Sequence, residues 1–222
     1  MLITQRYIMD ITHQRKTWEE EFGEGYLERN VYNPKELNTF YQNRYGATKE
    51  QLNDTFLKDI PKDAKILEVG TNIGNQLLHL QSQGFTNLYG IEIQDRAINY
   101  AKHRTDNLNI VKGDVLDIPF KDGYFDLVFT SGVLIHISPD NIKQAVSEIH
   151  RVSKKFIWGF EYYADTYTDL EYHGQKNIMW KTNFSKLYQD TFSNLKLLKE
   201  EKYKYIKETH LEDQMFLLEK VL

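Results

Sequence analysis

Glu68, Gly70 and Gly74 stand as Glu-x-Gly-x-x-x-Gly within ILEVGTNIGNQL. Glycines at such a turn let the backbone bend sharply and approach a ligand with no Cβ in the way. Glu92, in GIEI, follows 22 positions after Gly70. A carboxylate there can accept hydrogen bonds from both hydroxyls of a ribose. Asp114, in KGDVLDIPF, can accept from an exocyclic adenine amine, or it can simply form a turn after Gly113. The dinucleotide fingerprint Gly-x-Gly-x-x-Gly would need glycine at 70, 72 and 75, and Asn72 and Asn75 stand at the last two. The glycine turn by itself also suits other α/β proteins. His136, in VLIHI, carries an imidazole that can take a proton near neutral pH, or it can hydrogen-bond its own loop. Glu161 and Tyr162, in FEYY, are further candidates for moving a proton. Burial of Glu161 without a partner would be costly, so a place at the strand's carboxyl end, where ligands bind, is expected. Of Tyr162 and Tyr163 only one can face a pocket, because side chains alternate along a strand.

These groups need elements to hold them. KILEV (65–69), NLYGIEI (87–93), LNIVKGD (108–114), FDLVFTS (125–131) and KKFIWGFEYY (154–163) are short apolar runs rich in β-formers. NQLLHLQSQ, DRAINYAKHR and DNIKQAVSEIHRVS, between them, have helical periodicity. Strands alternating with amphipathic helices predict a parallel α/β sheet covered on both faces. Residues 164–182 read as irregular, FSKLYQDTF as a helix, and LKLLKEEKYKYI with EDQMFLLEKVL as a terminal antiparallel pair with a charged tip near Glu200 or His210. Residues 1–60 read as helical, with Pro34 in a first turn and a Thr48/Gln51 capping box.

The chain has 222 residues, 41% of them apolar and 14% aromatic, enough for one domain with small additions. Its net charge of −4 and dispersed basic residues argue against nucleic acid as substrate. No apolar run is long enough to span a bilayer, and the N-terminus does not read as a signal peptide, so no membrane partner and a cytoplasmic setting are expected. The absence of cysteine removes thiol catalysis and Cys-ligated zinc, and it fits a reducing compartment. The seven histidines have no ligand spacing, so no metal is expected.

The ordered series LEVGTNIG, GIEI, GDVLDIPF and FDLVFTSGVLIHI resembles the class I S-adenosylmethionine (SAM) dependent methyltransferases over residues 62 to 222. The resemblance implies a Rossmann-like seven-stranded sheet, an N-terminal helical cap or lid at 1–60, a SAM-binding domain at 61–222, and SAM as cofactor. It places Glu68 and Gly70 at the methionine end and Glu92 at the ribose, with Asn72, Gly74 and Ile93 also among the cofactor-binding residues. Asp114 and Val115 would flank the adenine, with Thr130 and Ser131 as a floor beneath the sulfonium. Asn72 replaces the usual middle glycine, so a slightly wider loop is expected, with the amide itself near the ligand. A narrower resemblance joins W-x-x-x-F-G-x-x-Y-x-x-R-N (18–30), VLIHI, EYY, EYHGQKNIMWKTNF (171–184) and DQMFLLEK to the pseudaminic acid biosynthesis-associated methylases. Glu20 stands where that pattern has glycine. The expected acceptor is a small molecule, with a nonulosonic (pseudaminic) acid-type sugar or its conjugate in view.

WEEEFGEGYLERN (18–30) then reads as a closing segment. Trp18, Phe22 and Tyr26 fall on one helical stripe, and Gly23 and Gly25 would let it bend as a lid. Arg29 is expected to pair with the SAM carboxylate, with Tyr26 or Asn30 adding a hydrogen bond. A docked helix with solvated acids is the plainer alternative. After strand five, Tyr172, His173 and Lys176 either shape the acceptor pocket or form a surface loop. Other chemistries remain open: a SAM-consuming cyclisation or elimination, a NAD-binding oxidoreductase, or a non-catalytic SAM-binding protein.

Overall fold

Two capped helices lead into the sheet. The computed structural model describes residue 27 and residues 29–172 and 175–221. Helix α1 (Pro34–Tyr45) starts at Asn33, which forms a capping box with Glu36, and stops at Gly46 in the left-handed conformation. Helix α2 (Lys49–Leu57) starts at the expected Thr48/Gln51 box. Strand β1 (Lys65–Val69), α3 (Asn75–Ser82), β2 (Asn87–Glu92), α4 (Asp95–Arg104), β3 (Asn109–Lys112) and β4 (Phe125–Ser131) follow. A 3₁₀ turn (Leu134–His136), α5 (Ile142–Val152) and β5 (Ser153–Tyr162) complete the parallel part.

Residues 164–182, expected to be irregular, contain a hairpin of β6 (Thr168–Tyr172) and β7 (Gln175–Lys181). Its apolar residues Ile178, Met179 and Trp180 are consecutive, so the run lacks the period of two that marks a half-buried strand. Then come α6 (Phe184–Thr191), β8 (Leu195–Lys204) and β9 (Glu212–Lys220). The tip of this last pair lies by His210, and Glu200 sits inside β8.

The main sheet has seven strands in the order β3-β2-β1-β4-β5-β9-β8, and β9 runs antiparallel to both neighbours. This is the Rossmann-like seven-stranded α/β sheet expected from the sequence. The order reverses between β1 and β4, which opens a crevice at the strands' carboxyl ends. Alternation divides the side chains between two cores. Ile66, Leu127, Phe129, Trp158, Phe160, Met215 and Leu217 face one. Leu67, Val69, Val128, Ile157, Phe216 and Leu218 face the other, against α5 and α6. Leu37, Tyr41, Leu52, Phe56 and Leu57 from the helices ahead of residue 61 belong to the first core, so α1 and α2 pack on the sheet itself. The expected stripe of Trp18, Phe22 and Tyr26 lies outside the described residues.

Candidate active site

A cavity of about 570 Å³ opens at the carboxyl ends of the strands and is roofed by α1. That volume suits a small-molecule site. The turn after β1 forms its floor. Gly70 has φ 72°, and a Cβ there would stand 2.6 Å from Val133 Cγ2, so only glycine fits without movement. The amides of Gly70 and Thr71 both donate to Ile91 O at 2.9 Å, tying this turn to the end of β2. Asn72 takes the left-handed conformation, φ 49°, that a glycine would take. The turn therefore keeps a glycine-like backbone while presenting an amide to the cavity.

Glu92 holds this turn. Its Oε2 accepts from Asn72 N at 2.8 Å, and its Oε1 accepts from Ile93 N at 2.8 Å and Gln94 N at 3.0 Å. Burial pushes its pKa up, and the three amides pull it back. Each carboxylate oxygen has more than one lone pair, so acceptor capacity toward the cavity remains. Glu68 is 2% exposed and accepts from Thr71 Oγ1 at 2.7 Å. Burial raises its pKa to about 8 against the pull of Thr71 and of Lys49. Asp114 lines the cavity and accepts from Leu116 N at 2.9 Å. Asp114 thus forms a turn and lines the cavity at once. Ile93, Val115 and Ser131 also line the cavity.

Arg29 and Asn30 reach the same cavity from the N-terminal side. Asn75, at the start of α3, clamps them. Its Nδ2 donates to Asn30 O at 2.6 Å, and its Oδ1 accepts from Tyr32 N and from Arg104 Nη1 at 2.8 Å. Tyr26 lies outside the described residues, as do His173 and the side chains of Tyr172 and Lys176.

The acceptor candidates separate. His136 lines the cavity, and its Nδ1 lies 3.2 Å from Ile178 O. A carbonyl oxygen only accepts, so Nδ1 carries the proton and Nε2 is the acceptor nitrogen. Burial lowers its pKa to about 4, so it is a neutral imidazole at pH 7 and a weak base. Tyr162 lines the cavity, whereas Tyr163 donates to Asp165 instead. Glu161 does not line the cavity. It is 1% exposed and accepts from Val133 N at 3.2 Å, bracing the loop that carries His136. Burial raises its pKa to about 7, opposed by the Thr130 hydroxyl and loop amides. Thr130 is likewise behind the wall, because successive side chains alternate and Ser131 takes the cavity face. The two residues expected at the ligand thus support the loop from the opposite face of the sheet.

Several cavity residues were not anticipated. Tyr41 bonds Gln76 and Ser131, and Tyr45 and Tyr205 both donate to Asp213. An acid in the apolar strand EDQMFLLEK was the available signal for Asp213, by the same cost of burial that drew attention to Glu161. Tyr41 and Tyr45 share a helix face at i and i+4. Two buried polar atoms with no partner among the described residues, Asn72 Oδ1 and Gln76 Oε1, belong to cavity residues. With the acids and the glycine turn, they fit a ligand carrying its own donors, as the ammonium and ribose of SAM do.

Residues 67–156 match the family model of a methyltransferase domain. An uncharacterised methyltransferase of Synechocystis is 32% identical over 90 residues, covering 40% of this chain and 42% of that protein. This chain therefore spans less than half the length of that relative. An uncharacterised methyltransferase of Alkaliphilus oremlandii is 29% identical over 163 residues, covering 73% and 70%. A solved structure of Burkholderia thailandensis 1,6-didemethyltoxoflavin-N1-methyltransferase, with bound 1,6-didemethyltoxoflavin and S-adenosylhomocysteine, aligns at TM-score 0.65 and 12% identity, covering 98% of this chain and 90% of that one. Residues 67–156 are thus similar to a methyltransferase domain, and they lie within a sheet whose fold the solved methyltransferase shares.

Proposed function

We propose that this chain catalyses methyl transfer from SAM to a small-molecule acceptor, a nonulosonic acid-type sugar or its conjugate. The observation that carries the reading is the single cavity in which the glycine turn, Glu68, Glu92 and Asp114 meet His136 and Tyr162. Glu68, Gly70 and Asn72, from the cavity wall, and Gly74, which caps α3 behind it, serve the cofactor, with Glu68 and Gly70 at the methionine end of SAM and Arg29 and Asn30 at its carboxylate; Tyr26, outside the described residues, is assigned to the same end. Glu92 and Ile93 take the ribose, Asp114 and Val115 the adenine, and Ser131 lies beneath the sulfonium. SAM supplies an activated methyl group. The chain's task is alignment and exclusion of water, for which positioning supplies on the order of 7–11 kcal/mol. His136 accepts a hydrogen bond from the acceptor's O–H or N–H through Nε2 and aims its lone pair. Residues 1–60 provide the cover, and the cysteine-free composition supports a reducing, cytoplasmic setting.

Arg29→Ala is expected to weaken SAM binding about tenfold by calorimetry, the loss of one charge-assisted contact. Unchanged affinity removes Arg29 from the cofactor site. The function itself is tested by incubating the protein with methyl-labelled SAM and a metabolite extract, then identifying products by mass spectrometry. S-adenosylhomocysteine together with a labelled acceptor supports methyl transfer. Methylthioadenosine in their place assigns cyclisation or elimination, and binding of NAD without SAM overturns the reading.

A further inference from the structure

The cavity has two ends. Glu92 and Asp114 lie on the β2/β3 side, and Tyr162 and Asp213, directly paired across β5 and β9, lie on the other. Arg44, in the last turn of α1, lines this second end and also a smaller pocket beside it, which it shares with Phe40, Tyr205, Lys207 and Glu208. Its guanidinium is wedged between two rings, 4.4 Å from the centroid of Phe40 and 4.8 Å from that of Tyr205. Nη1 donates to Tyr205 Oη at 3.4 Å. Among the described residues Arg44 forms no ion pair. The Tyr45 hydroxyl is a second partner, and a guanidinium has five N–H donors, so part of this fork remains to be used.

Asp213 stands behind the same tyrosine. It is 4% exposed, and the hydroxyls of Tyr45 and Tyr205 both converge on its Oδ2, the latter at 3.2 Å. Oδ1 is approached by Tyr205 only at 3.5 Å, which leaves it able to accept from a ligand. Burial raises the Asp213 pKa to about 6, while the two phenols and Arg44 pull it down, so it is mostly ionised at pH 7.

We propose that Arg44 and Asp213 anchor the methyl acceptor, and that the acceptor is a hydroxylated monocarboxylate: its carboxylate lies on the Arg44 fork and a neighbouring hydroxyl donates to Asp213. This rests on the methyl-transfer reading and deepens it. A planar carboxylate matches the guanidinium fork. A dianionic phosphate fits less well, because one cation would face two negative charges with Asp213 close by. An amine is repelled by Arg44 itself. The flanking rings restrict the guanidinium to one plane, so little freedom is lost when the carboxylate docks.

The test uses the whole chain saturated with S-adenosylhomocysteine and ligand-observed NMR titration of gluconate, of glucitol, which has CH₂OH where gluconate has its carboxylate, and of glucitol 6-phosphate. Gluconate is expected to bind at least about tenfold more tightly than glucitol. Arg44→Gln is expected to erase that preference and Arg44→Lys to keep part of it, with S-adenosylhomocysteine affinity unchanged in both. Equal binding of gluconate and glucitol, or a preference that survives in Arg44→Gln, overturns the assignment. So does stronger binding of the phosphate, or no gluconate binding up to roughly 10 mM. If S-adenosylhomocysteine does not bind the wild type, the methyl-transfer reading falls. The same probes titrated without it then still decide the Arg44 site.

Discussion

Glu92→Ala is expected to lower SAM affinity at least about a hundredfold and to destabilise the fold by roughly 2–4 kcal/mol. The reason is that this one carboxylate does two jobs. It accepts three backbone N–H groups, from Asn72, Ile93 and Gln94, and it faces the cavity where a ribose is proposed to sit. Without it, three donors at a 6% exposed position lose their acceptor. Asn72 also loses the bond that holds it at φ 49°, a conformation that costs a non-glycine residue energy. The glycine turn then loosens before any ligand arrives, so binding suffers beyond the missing ribose contact. Glu92→Gln keeps the size and one good acceptor but turns an NH₂ group toward some of the donors, and should fall between. Calorimetry with SAM and thermal melts read both effects. An alanine variant that binds SAM within roughly threefold of wild type would show that Glu92 neither holds the turn nor meets the ligand.

Lys49→Met is expected to make the protein more stable at pH 6, by about 1–4 kcal/mol, and to alter the pH dependence of stability. Lys49 is 1% exposed, and its Nζ has no hydrogen-bond partner among the described residues. It is surrounded by the rings of Tyr41, Trp158 and Phe160 at 4.9, 5.1 and 5.2 Å. Those faces and the charge of Glu68 offset only part of the desolvation, so burial lowers the pKa from 10.5 to about 7.

A lysine depressed in the folded state costs stability in full below about pH 7. That cost is relieved between about 7 and 10.5, where folding releases its proton. Glu68 acts in a lower window. Its carboxyl is raised from 4.5 to about 8, so stability falls as pH rises through that interval. Together the pair places its least favourable contribution near pH 7 to 8. In Lys49→Met the gain over wild type should be constant below pH 7 and shrink above it. Removing the cation also pushes the Glu68 pKa higher, so SAM affinity, if the Glu68 carboxylate meets the cofactor as proposed, should rise with pH at a later midpoint than in wild type. Chemical denaturation from pH 5 to 10 measures the first effect. A variant less stable than wild type at pH 6, or a difference that grows above pH 8, would contradict the account.

The glycine turn, the acids that end β1 and β2, and the strand-helix alternation were legible because each depends on near neighbours in the chain. A left-handed turn needs Gly70 or an Asn72-like substitute wherever it occurs, and a capping box needs only Thr48 and Gln51. The period of two could also say that Thr130 and Ser131, or Glu161 and Tyr162, point to opposite faces. It could not say which face holds the ligand. That sign is decided by where α1 docks, since α1 brings Tyr41 to Ser131 and leaves Glu161 and Thr130 bracing the loop from the far side. The same docking joins Arg44 and Tyr45 to Tyr205 and Asp213, residues from opposite ends of the chain. It also buries Lys49, which a helix pattern alone would place in solvent. By itself, then, the sequence determined the fold class, the glycine turn and its acids, all built from local periods and turn chemistry. Only the tertiary structure decided the cluster proposed as the acceptor end, because its residues become neighbours through long-range packing of a helix on a sheet, which no local spacing encodes.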